Sequence, residues 1–441
     1  MLSISLKSFF IETYGCAANQ ADSAIMEGLL RNSGYQKTSF ENARYIIVNT
    51  CAVKQATENK IRARLRELYE YTLKKKDKNI IIAGCLPLIS PNYIDKIQEI
   101  IPNYSAIVDL NSIITIVDVL ERIEHGEDHL IITSKEKINK SDYLLEHESN
   151  DLTGTVPISE GCHGACTYCC VKNARGALKC YDSKSIVKTV EHYLQQGKKQ
   201  IYLTSQDCST YRFNSTKLVD LVNNIHSLPY NFFLRLGMIN PQFLIKNLDQ
   251  IKEILNLGKV YQFLHLPIQS GSDRILKRMN RPYRISDIIG EIAKLNQIFP
   301  YLTLSTDIIC GFPGETEYDF YKTINFIKWF QPEILNISQF TPRPNTKAKQ
   351  MEQLKSEIIK DRSKRLSKVF RRSLKSMNLK WLGWEGNILV LHSGNKDNQV
   401  FGRNFAYKNV FLNDYQGDFG QFVKVKIIKV QGFNLYAKVL K

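Results

Sequence analysis

The chain has 441 residues, with 60 Lys and Arg against 43 Asp and Glu and a net charge of +17. This length predicts two or three domains, and a hydrophobic content of 43% excludes a disordered or collagen-like chain. No apolar run approaches the roughly twenty residues of a membrane span. Residues 1–10 lack the features of a secretory signal, so we expect a cytoplasmic protein with no membrane partner.

Ten cysteines are too few for a disulfide scaffold, so metal ligands or catalytic thiols are expected among them. Cys16, Cys51 and Cys85 lie 35 and 34 residues apart, which is the length of one strand–helix unit. Each follows an apolar or β-branched run that predicts a strand, at residues 8–14, 43–50 and 79–83. Helical patterns at residues 20–32 and 57–74, and a helix start at residues 90–91, separate them.

Alternating strands and helices predict an α/β fold with a parallel, doubly wound sheet, whose ligands gather at the carboxyl ends of the strands. We therefore expect Cys16, Cys51 and Cys85 to lie together at that edge. Three buried thiols packed as small hydrophobic side chains are the alternative.

The stretch at residues 123–151 is charged and lacks a strong period, which predicts a linker. Six strand-like runs follow and predict a partly closed (β/α)6 barrel, with its active site on the loops after the strands. The runs are residues 155–160, 200–205, 232–239, 260–268, 302–309 and 333–340. Residues 351–381 predict one or two basic helices, and five short runs between residues 387 and 439 predict a small antiparallel β-barrel.

Cys162, Cys166 and Cys169 lie in one loop after the first strand of the second domain, with three and two residues between them. Structural zinc is one interpretation, but tetrahedral zinc usually takes four ligands from two pairs. An iron–sulfur cluster with one iron that the protein does not bind fits three thiolates.

This spacing, with Tyr168 directly before the third thiol, is similar to the signature of the radical S-adenosylmethionine (SAM) enzymes. Further motifs resemble the methylthiotransferases of that superfamily, and together they span essentially the whole chain. They are residues 14–20, 48–53, 83–87, 174–176, 264–272, 311–316 and 341–344. The resemblance implies an N-terminal methylthiotransferase domain at residues 5–122, a radical SAM core at 148–377 and an OB-like TRAM barrel that binds RNA at 380–441.

The resemblance also implies the cofactors, which are two [4Fe-4S] clusters and SAM. Cys162, Cys166 and Cys169 would hold the cluster that binds SAM, and Cys16, Cys51 and Cys85 would hold an auxiliary cluster that carries sulfur. No other catalytic residue is assigned, and His163 and His265 are given no role. The remaining cysteines are expected to pack in the interior; they are Cys170, Cys180, Cys208 and Cys310.

Residues 50–54, 204–207 and 237–241 are most similar to the archaeal and eukaryotic branch of the family. That branch modifies N6-threonylcarbamoyladenosine beside the anticodon of tRNA. The implied activity is that of a tRNA (N6-L-threonylcarbamoyladenosine37-C2)-methylthiotransferase, which adds a methylthio group at C2 of the base at position 37. The C-terminal membrane tail of the eukaryotic members is missing, so the chain looks archaeal, while Ala17 and Ala18 depart from the usual residues after the first cysteine.

Two alternative functions remain open at this stage. One is an isopentenyladenosine-directed tRNA methylthiotransferase, and the other is a non-catalytic RNA-binding module with a structural metal. For a methylthiotransferase of either substrate specificity, the sequence identifies neither the electron donor nor the sulfur source.

The positive charge is concentrated where RNA binding is expected, with +7 in residues 351–381 and +4 in residues 382–441. Five aromatic residues of the terminal barrel lie between basic ones, a mixture that suits stacking of bases and neutralisation of phosphates. They are Phe401, Phe405, Tyr407, Phe411 and Tyr415, of which we expect half in the core. A basic barrel favours RNA over the ribosomal protein that other methylthiotransferases modify.

Two loops of the second domain have further candidate roles. A guanidinium suits the carboxylate of a threonylcarbamoyl group, and Arg343 is the candidate, with an ion pair within its loop as the alternative. Residues 311–316 lack the Lys-Ser/Thr ending of a phosphate-binding loop, so we expect a contact with SAM there and keep a tight turn as the alternative.

Overall fold

Six parallel strands form one sheet in the N-terminal part of the computed structural model, which describes residues 7–143, 151–394, 396 and 398–440. The strands are β1 (Ser8–Thr13), β2 (Gln36–Lys37), β3 (Tyr45–Thr50), β4 (Asn79–Gly84), β5 (Ala106–Asp109) and β6 (Leu130–Ile132), in the order β2-β1-β3-β4-β5-β6. The helices are α1 (Ala17–Asn32), α2 (Gln55–Lys74), α3 (Tyr93–Ile100) and α4 (Ile116–Glu124). The predicted boundaries at residues 5, 148 and 441 lie outside the described residues.

The sheet is covered by a hydrophobic core on each face, as a doubly wound fold requires. β3 is buried along its whole length because it lies at the centre of the sheet. Ile46 and Val48 of this strand pack into one core, and Tyr45 and Ile47 pack into the other. The predicted parallel, doubly wound sheet is therefore confirmed.

The segment predicted as a linker is partly structured, so that prediction is wrong for two stretches. β6 pairs in parallel with β5, and a single 3-10 turn covers residues 140–142. Three apolar residues inside a charged stretch are too short a run to indicate a strand. They form one because they extend an existing sheet and Leu130 packs into its core.

The central domain contains six parallel strands in two sheets of three, with the orders β13-β10-β7 and β14-β15-β16. Isolated parallel bridges between Leu234 and Val260 and between Met238 and His265 join the two sheets. The partly closed six-stranded barrel is thus confirmed.

The strands of this domain are β7 (Thr153–Pro157), β8 (Ser159–Glu160), β9 (Lys179–Cys180), β10 (Gln200–Thr204), β11 (Arg212–Phe213), β12 (Thr216–Lys217), β13 (Phe233–Leu236), β14 (Phe263–His265), β15 (Thr303–Cys310) and β16 (Ile334–Gln339). Its helices are α5 (Val171–Arg175), α6 (Ser183–Gln195), α7 (Leu218–His226), α8 (Pro241–Lys246), α9 (Leu248–Asn256), α10 (Asp273–Arg278), α11 (Ile285–Ile298), α12 (Glu317–Phe330) and α13 (Ser356–Asn378). α13 is the predicted basic helix, and a 3-10 turn at residues 379–381 follows it.

Five strands at the C-terminus close into a barrel in the order β17-β18-β19-β21-β20. They are β17 (Glu385–Ser393), β18 (Gln399–Asn404), β19 (Asn409–Asn413), β20 (Phe422–Gln431) and β21 (Asn434–Val439). The small barrel is confirmed, but it is not wholly antiparallel, because β19 and β21 pair in parallel to close it.

The terminal barrel packs against the amino ends of the central strands, opposite the predicted active-site face. The ring of Tyr407 lies 4.8 Å from that of Phe263 and 5.0 Å from that of Tyr261. The N–H of Gln262 donates to the carbonyl of Phe405 at 2.9 Å. Tyr407 is therefore buried in the contact between domains, and Phe405 is half-buried beside it.

Across the described ranges, the helices are too short or too polar for any of them to cross a lipid bilayer.

Candidate metal centres

The first cysteine trio lies at the carboxyl ends of three neighbouring strands of the N-terminal sheet. Cys16 lies between β1 and α1, Cys51 directly follows β3, and Cys85 directly follows β4. Cys16 is exposed, whereas Cys51 and Cys85 are buried. The strand ends therefore bring these thiols to one edge of the sheet, as expected, and their role as ligands stays a prediction.

Two neighbouring residues, Gly15 and Asn19, show how close these three thiols lie to one another. Gly15 has φ of +120°, and a Cβ atom there would lie 2.8 Å from Cys51 Sγ, so the backbone before Cys16 passes directly over Cys51. Asn19 Oδ1 lies 3.5 Å from Cys16 Sγ and 3.9 Å from Cys85 Sγ. Sequence reasoning assigned Asn19 no role, although it falls within the motif around Cys16.

The second trio occupies the loop between β8 and α5. Cys162 Sγ accepts a hydrogen bond from the Gly164 N–H at 3.1 Å. The N–H of Cys169 donates to the carbonyl of Cys166 at 3.1 Å, and Arg281 Nη1 lies 3.6 Å from Cys166 Sγ. The three thiols are half-buried, so they are accessible to a cofactor from the carboxyl end of the barrel.

Each trio supplies three thiols, the ligand type that iron–sulfur clusters take. Nowhere in the described part of the chain do three or more His, Cys, Asp or Glu side chains converge on a point that could hold one ion. A cluster binds each thiolate through a different iron, so it takes thiols placed around a larger group.

Burial keeps two of these thiols protonated until a cation binds. It raises the pKa of Cys85 to about 12 and the pKa of Cys169 to about 12. Iron binds the thiolate, so binding at either trio displaces protons.

A buried cluster of four charged side chains joins the two trios; we call it the charge cluster. Arg175, directly after the second trio, lies 2.9 Å from Asp22 Oδ2 on α1 and 2.5 Å from Glu160 Oε1. Lys140 Nζ lies 2.6 Å from Asp22 Oδ1 and 3.0 Å from Glu160 Oε1. All four side chains are at most 4% exposed. Arg175 Nη2 also lies 3.3 Å from Asn19 Oδ1, beside the first trio.

Each carboxylate of the charge cluster contacts both cations, so the buried charges are fully compensated. Burial opposes ionisation of Glu160, but the positive fields of Lys140 and Arg175 hold its pKa below the ordinary value. The Lys140–Asp22 pair joins residues 118 positions apart, which no local sequence pattern indicates.

Arg343 is already engaged, so its predicted role in binding the threonylcarbamoyl carboxylate is wrong. Its Nη1 lies 2.7 Å from Glu58 Oε2, and its Nη2 donates to the Ala52 carbonyl at 2.6 Å. The side chain is 5% exposed. The ion-pair alternative is correct, although the partner lies on α2 and not in the loop of Arg343. Arg343 thereby holds the segment after Cys51 against the central domain.

The two histidines without an assigned role and the four remaining cysteines belong to neither cysteine trio. His265 Nε2 lies 2.7 Å from Asp307 Oδ2 at the carboxyl end of the barrel, and His163 is exposed. Three of the four remaining cysteines are buried and Cys180 is half-buried, which fits packing; the buried ones are Cys170, Cys208 and Cys310.

The loop at residues 311–316 is a tight turn held by α13. The Gly311 N–H donates to Glu315 Oε2 at 2.9 Å, and Arg362 Nη1 lies 2.7 Å from the same oxygen. These bonds account for the turn without a ligand, and a contact with SAM stays a prediction.

α13 has an exposed stripe of four basic residues, Lys364, Lys368, Arg371 and Arg372, which we call the basic stripe. None of the four forms an ion pair with a described residue, whereas their neighbour Arg365 pairs with acidic groups on α12 and α13. Like charges spaced four residues apart on a helix repel one another. The stripe is therefore an uncompensated positive surface.

The terminal barrel presents a row of four rings, one from each of four adjacent strands, which we call the aromatic row. It contains His392, Phe401, Phe411 and Tyr436, with successive ring centroids 4.7, 5.5 and 5.7 Å apart. His392 is exposed and the other three are half-buried. Phe401 and Phe411 are two of the five aromatics predicted for the RNA-binding mixture. Of the other three, Phe405 and Tyr415 are half-buried as well, and Tyr407 is buried.

Two family models match the chain. Residues 8–108 match the family described as "Uncharacterized protein family UPF0004", and residues 156–327 match the "Radical SAM superfamily". The second match means that the central domain uses SAM and an iron–sulfur cluster.

A solved structure has the same overall fold at low sequence identity. It is a radical SAM methyltransferase, TsrM, from Kitasatospora setae, with a TM-score of 0.57 and 12% identity over 78% of this chain and 75% of that one.

Two relatives that align with nearly the whole of this chain have closely similar names. A "Probable threonylcarbamoyladenosine tRNA methylthiotransferase" of Pyrococcus horikoshii is 36% identical over 98% of this chain and 99% of its own length. The "Threonylcarbamoyladenosine tRNA methylthiotransferase" of Homo sapiens is 33% identical over 96% of this chain and 72% of its own length. The chain therefore belongs to the threonylcarbamoyladenosine tRNA methylthiotransferase family, with a radical SAM domain at its centre.

Proposed function

We propose that this protein methylthiolates C2 of N6-threonylcarbamoyladenosine at position 37 of tRNA, giving 2-methylthio-N6-threonylcarbamoyladenosine. The observation that carries the proposal is the pair of cysteine trios, which the charge cluster joins at the carboxyl ends of two adjacent parallel sheets. The relatives named for this activity support the choice of substrate.

Cys162, Cys166 and Cys169 would hold the cluster that binds SAM, and Cys16, Cys51 and Cys85 would hold a second cluster. When bound, these groups supply radical chemistry and a metal site for sulfur, which the replacement of an unactivated aromatic C–H bond requires. The protein's own part is to hold the two groups beside the same base. The C2–H bond is not acidic, so a general base could not break it, and no residue is assigned that role.

The surface of the chain suits a tRNA whose anticodon loop enters the barrel. α13 begins near the active-site face, where Ile359 packs on Gly311, and ends at the terminal barrel, where Asn378 donates to Gly432. Its 23 residues span about 34 Å. The basic stripe therefore offers phosphate contacts between the active site and the terminal barrel.

The aromatic row extends this surface on the terminal barrel. His392 stacks on Phe401 and Phe411 stacks on Tyr436, while Phe401 and Phe411 meet edge to face. Base–aromatic stacking is sequence-tolerant because every base has a π-face. Arg403 lies over the ring of Phe401 at 5.2 Å and adds positive charge beside it. We propose that unpaired nucleotides contact this row, and that the enzyme acts in the cytoplasm.

The experiment that tests the function is mass spectrometry of tRNA nucleosides from a strain that lacks this protein. We expect the 2-methylthio derivative of threonylcarbamoyladenosine to disappear, the unmethylthiolated nucleoside to accumulate, and a plasmid copy to restore the product. Retention of the product contradicts the proposal. Loss of the 2-methylthio derivative of isopentenyladenosine instead identifies the related enzyme.

A further inference from the structure

The segment from Ala52 to Gln55 is fixed between the two cysteine trios. The Ala52 carbonyl accepts hydrogen bonds from Arg343 Nη2 at 2.6 Å and from Cys170 Sγ at 3.3 Å. Gln55 accepts from Arg343 Nη1. Because Cys51 precedes this segment and Cys170 directly follows the second trio, the segment lies where the two sites meet.

Lys54 lies inside this fixed segment and is exposed. Its carbonyl accepts the N–H groups of Thr57 and Glu58 at the start of α2, but its ammonium group forms no hydrogen bond or ion pair with any described residue. The positive charge of Lys54 nevertheless acts on Asp307, at the mouth of the barrel. Burial raises the pKa of Asp307, but the hydrogen bond from His265 and, to a smaller extent, the charge of Lys54 hold that pKa below its ordinary value. Asp307 pairs with His265 at 2.7 Å, and it forms no ion pair with Lys54.

Several other cations near the two trios are already engaged. Arg343 pairs with Glu58, and Arg175 and Lys140 form the charge cluster. Arg281 donates to the Pro267 carbonyl at 2.6 Å and to the hydroxyl group of Tyr283 at 3.0 Å. A substrate anion at this edge would therefore have to displace an existing partner from each of them, but not from Lys54.

We propose that Lys54 binds the carboxylate of the threonylcarbamoyl group, and so acts as a specificity-determining residue; this inference rests on the proposed function. A lysine ammonium and a carboxylate form a charge-assisted hydrogen bond, which is stronger than a neutral one. The backbone on both sides of Lys54 is fixed, so binding restricts only its side chain. A neutral N6 substituent would offer the ammonium group no charged partner.

The test compares two anticodon stem-loop RNAs that differ in one functional group. One carries N6-threonylcarbamoyladenosine, and the other carries the same nucleoside with its carboxylate converted to a carboxamide. We expect the anaerobically reconstituted wild-type enzyme to bind the carboxylate form about two- to fivefold more tightly by fluorescence anisotropy, the range that an exposed ion pair gives. Lys54→Met should remove this preference, and Lys54→Arg should retain most of it.

Lys172→Met is the matched control, because Lys172 is also an exposed lysine beside a cysteine trio, on α5. It should leave the ratio of the two dissociation constants unchanged. In turnover assays, Lys54→Met should raise KM for the carboxylate RNA with little change in kcat, as expected for loss of uniform binding.

Two results would overturn the assignment. In one, Lys54→Met keeps the wild-type preference; in the other, it weakens binding of both RNAs equally, which indicates a phosphate contact. A wild-type enzyme that fails to methylthiolate the carboxylate RNA at all would instead refute the proposed function, so the two failures are distinguishable.

Discussion

Arg175 and Asp22 join the two cysteine trios through a buried ion pair of 2.9 Å. Asp22 lies on the helix that follows Cys16, and Arg175 lies on the helix that follows Cys169. The two side chains are 4% and 1% exposed. The relative position of the two proposed cluster sites therefore depends on a charge pair that is almost completely removed from water.

Asp22→Asn should destabilise the protein strongly, because it leaves two buried cations sharing one carboxylate. Breaking a buried pair by removing one partner typically costs about 3–5 kcal/mol. Urea unfolding of the metal-free variant, followed by circular dichroism, measures the loss of unfolding free energy. The double change Asp22→Asn with Lys140→Met removes one charge of each sign, so it should be less harmful than Asp22→Asn alone.

The matched control for this prediction is Glu127→Gln, which breaks the exposed pair between Arg122 and Glu127 at 2.8 Å. Exposed pairs contribute about 1 kcal/mol or less. Equal losses for Asp22→Asn and Glu127→Gln would contradict the role assigned to the charge cluster.

The basic stripe should contribute phosphate contacts to tRNA binding. Changing Lys364, Lys368 and Arg371 to Gln should weaken binding of tRNA at least tenfold at moderate salt. It should also lower the slope of log K against log salt by about two to three, since each phosphate contact contributes about 0.7–0.9 to that slope. Filter binding over a salt series measures both quantities.

Lys184 and Lys188 supply the control for the stripe, because they are also exposed lysines four residues apart on a helix, α6. Their change to Gln should alter the salt slope by much less. An unchanged slope in the stripe variant would exclude it from the tRNA-binding surface.

The protonation of Cys85 gives a pH-dependent prediction for the metal-free protein. With a pKa of about 12 raised by burial, its thiolate fraction is small at neutral pH and grows about tenfold per pH unit up to that value. Alkylation of Cys85 by iodoacetamide should therefore keep accelerating from pH 7.5 to 9.5. Mass spectrometry of tryptic peptides should show the exposed Cys16 modified before Cys85 throughout.

Iron should protect both thiols from alkylation if they are ligands. A rate for Cys85 that levels off near pH 9, or equal alkylation with and without iron, would contradict this account of the first trio.

The sequence predicts those parts of the fold that depend on residues close together in the chain. Buried apolar strands ending in Cys16, Cys51 and Cys85 predict both the sheet and the edge at which the thiols lie, because carboxyl ends of parallel strands share an edge. The loop that contains Cys162 carries its own spacing signal. The terminal barrel is likewise visible as short strands between turn residues.

Long-range pairing was beyond sequence reasoning. Asp22 and Lys140 are two charged residues among many, and only the fold brings them together. Arg343 was misassigned for the same reason, since its partner Glu58 lies 285 positions earlier in the chain. The sequence predicts half of the five barrel aromatics in the core without indicating which, and Tyr407 is buried because one domain packs on another.

The most direct test of the central claim is the iron and sulfide content of the anaerobically reconstituted protein. We predict about eight irons and eight sulfides per wild-type chain, and about four of each after either trio is changed to Ser. The variant that keeps Cys162, Cys166 and Cys169 should still cleave SAM but transfer no methylthio group. Stoichiometric zinc without acid-labile sulfide, or wild-type iron content in either trio variant, would contradict the account.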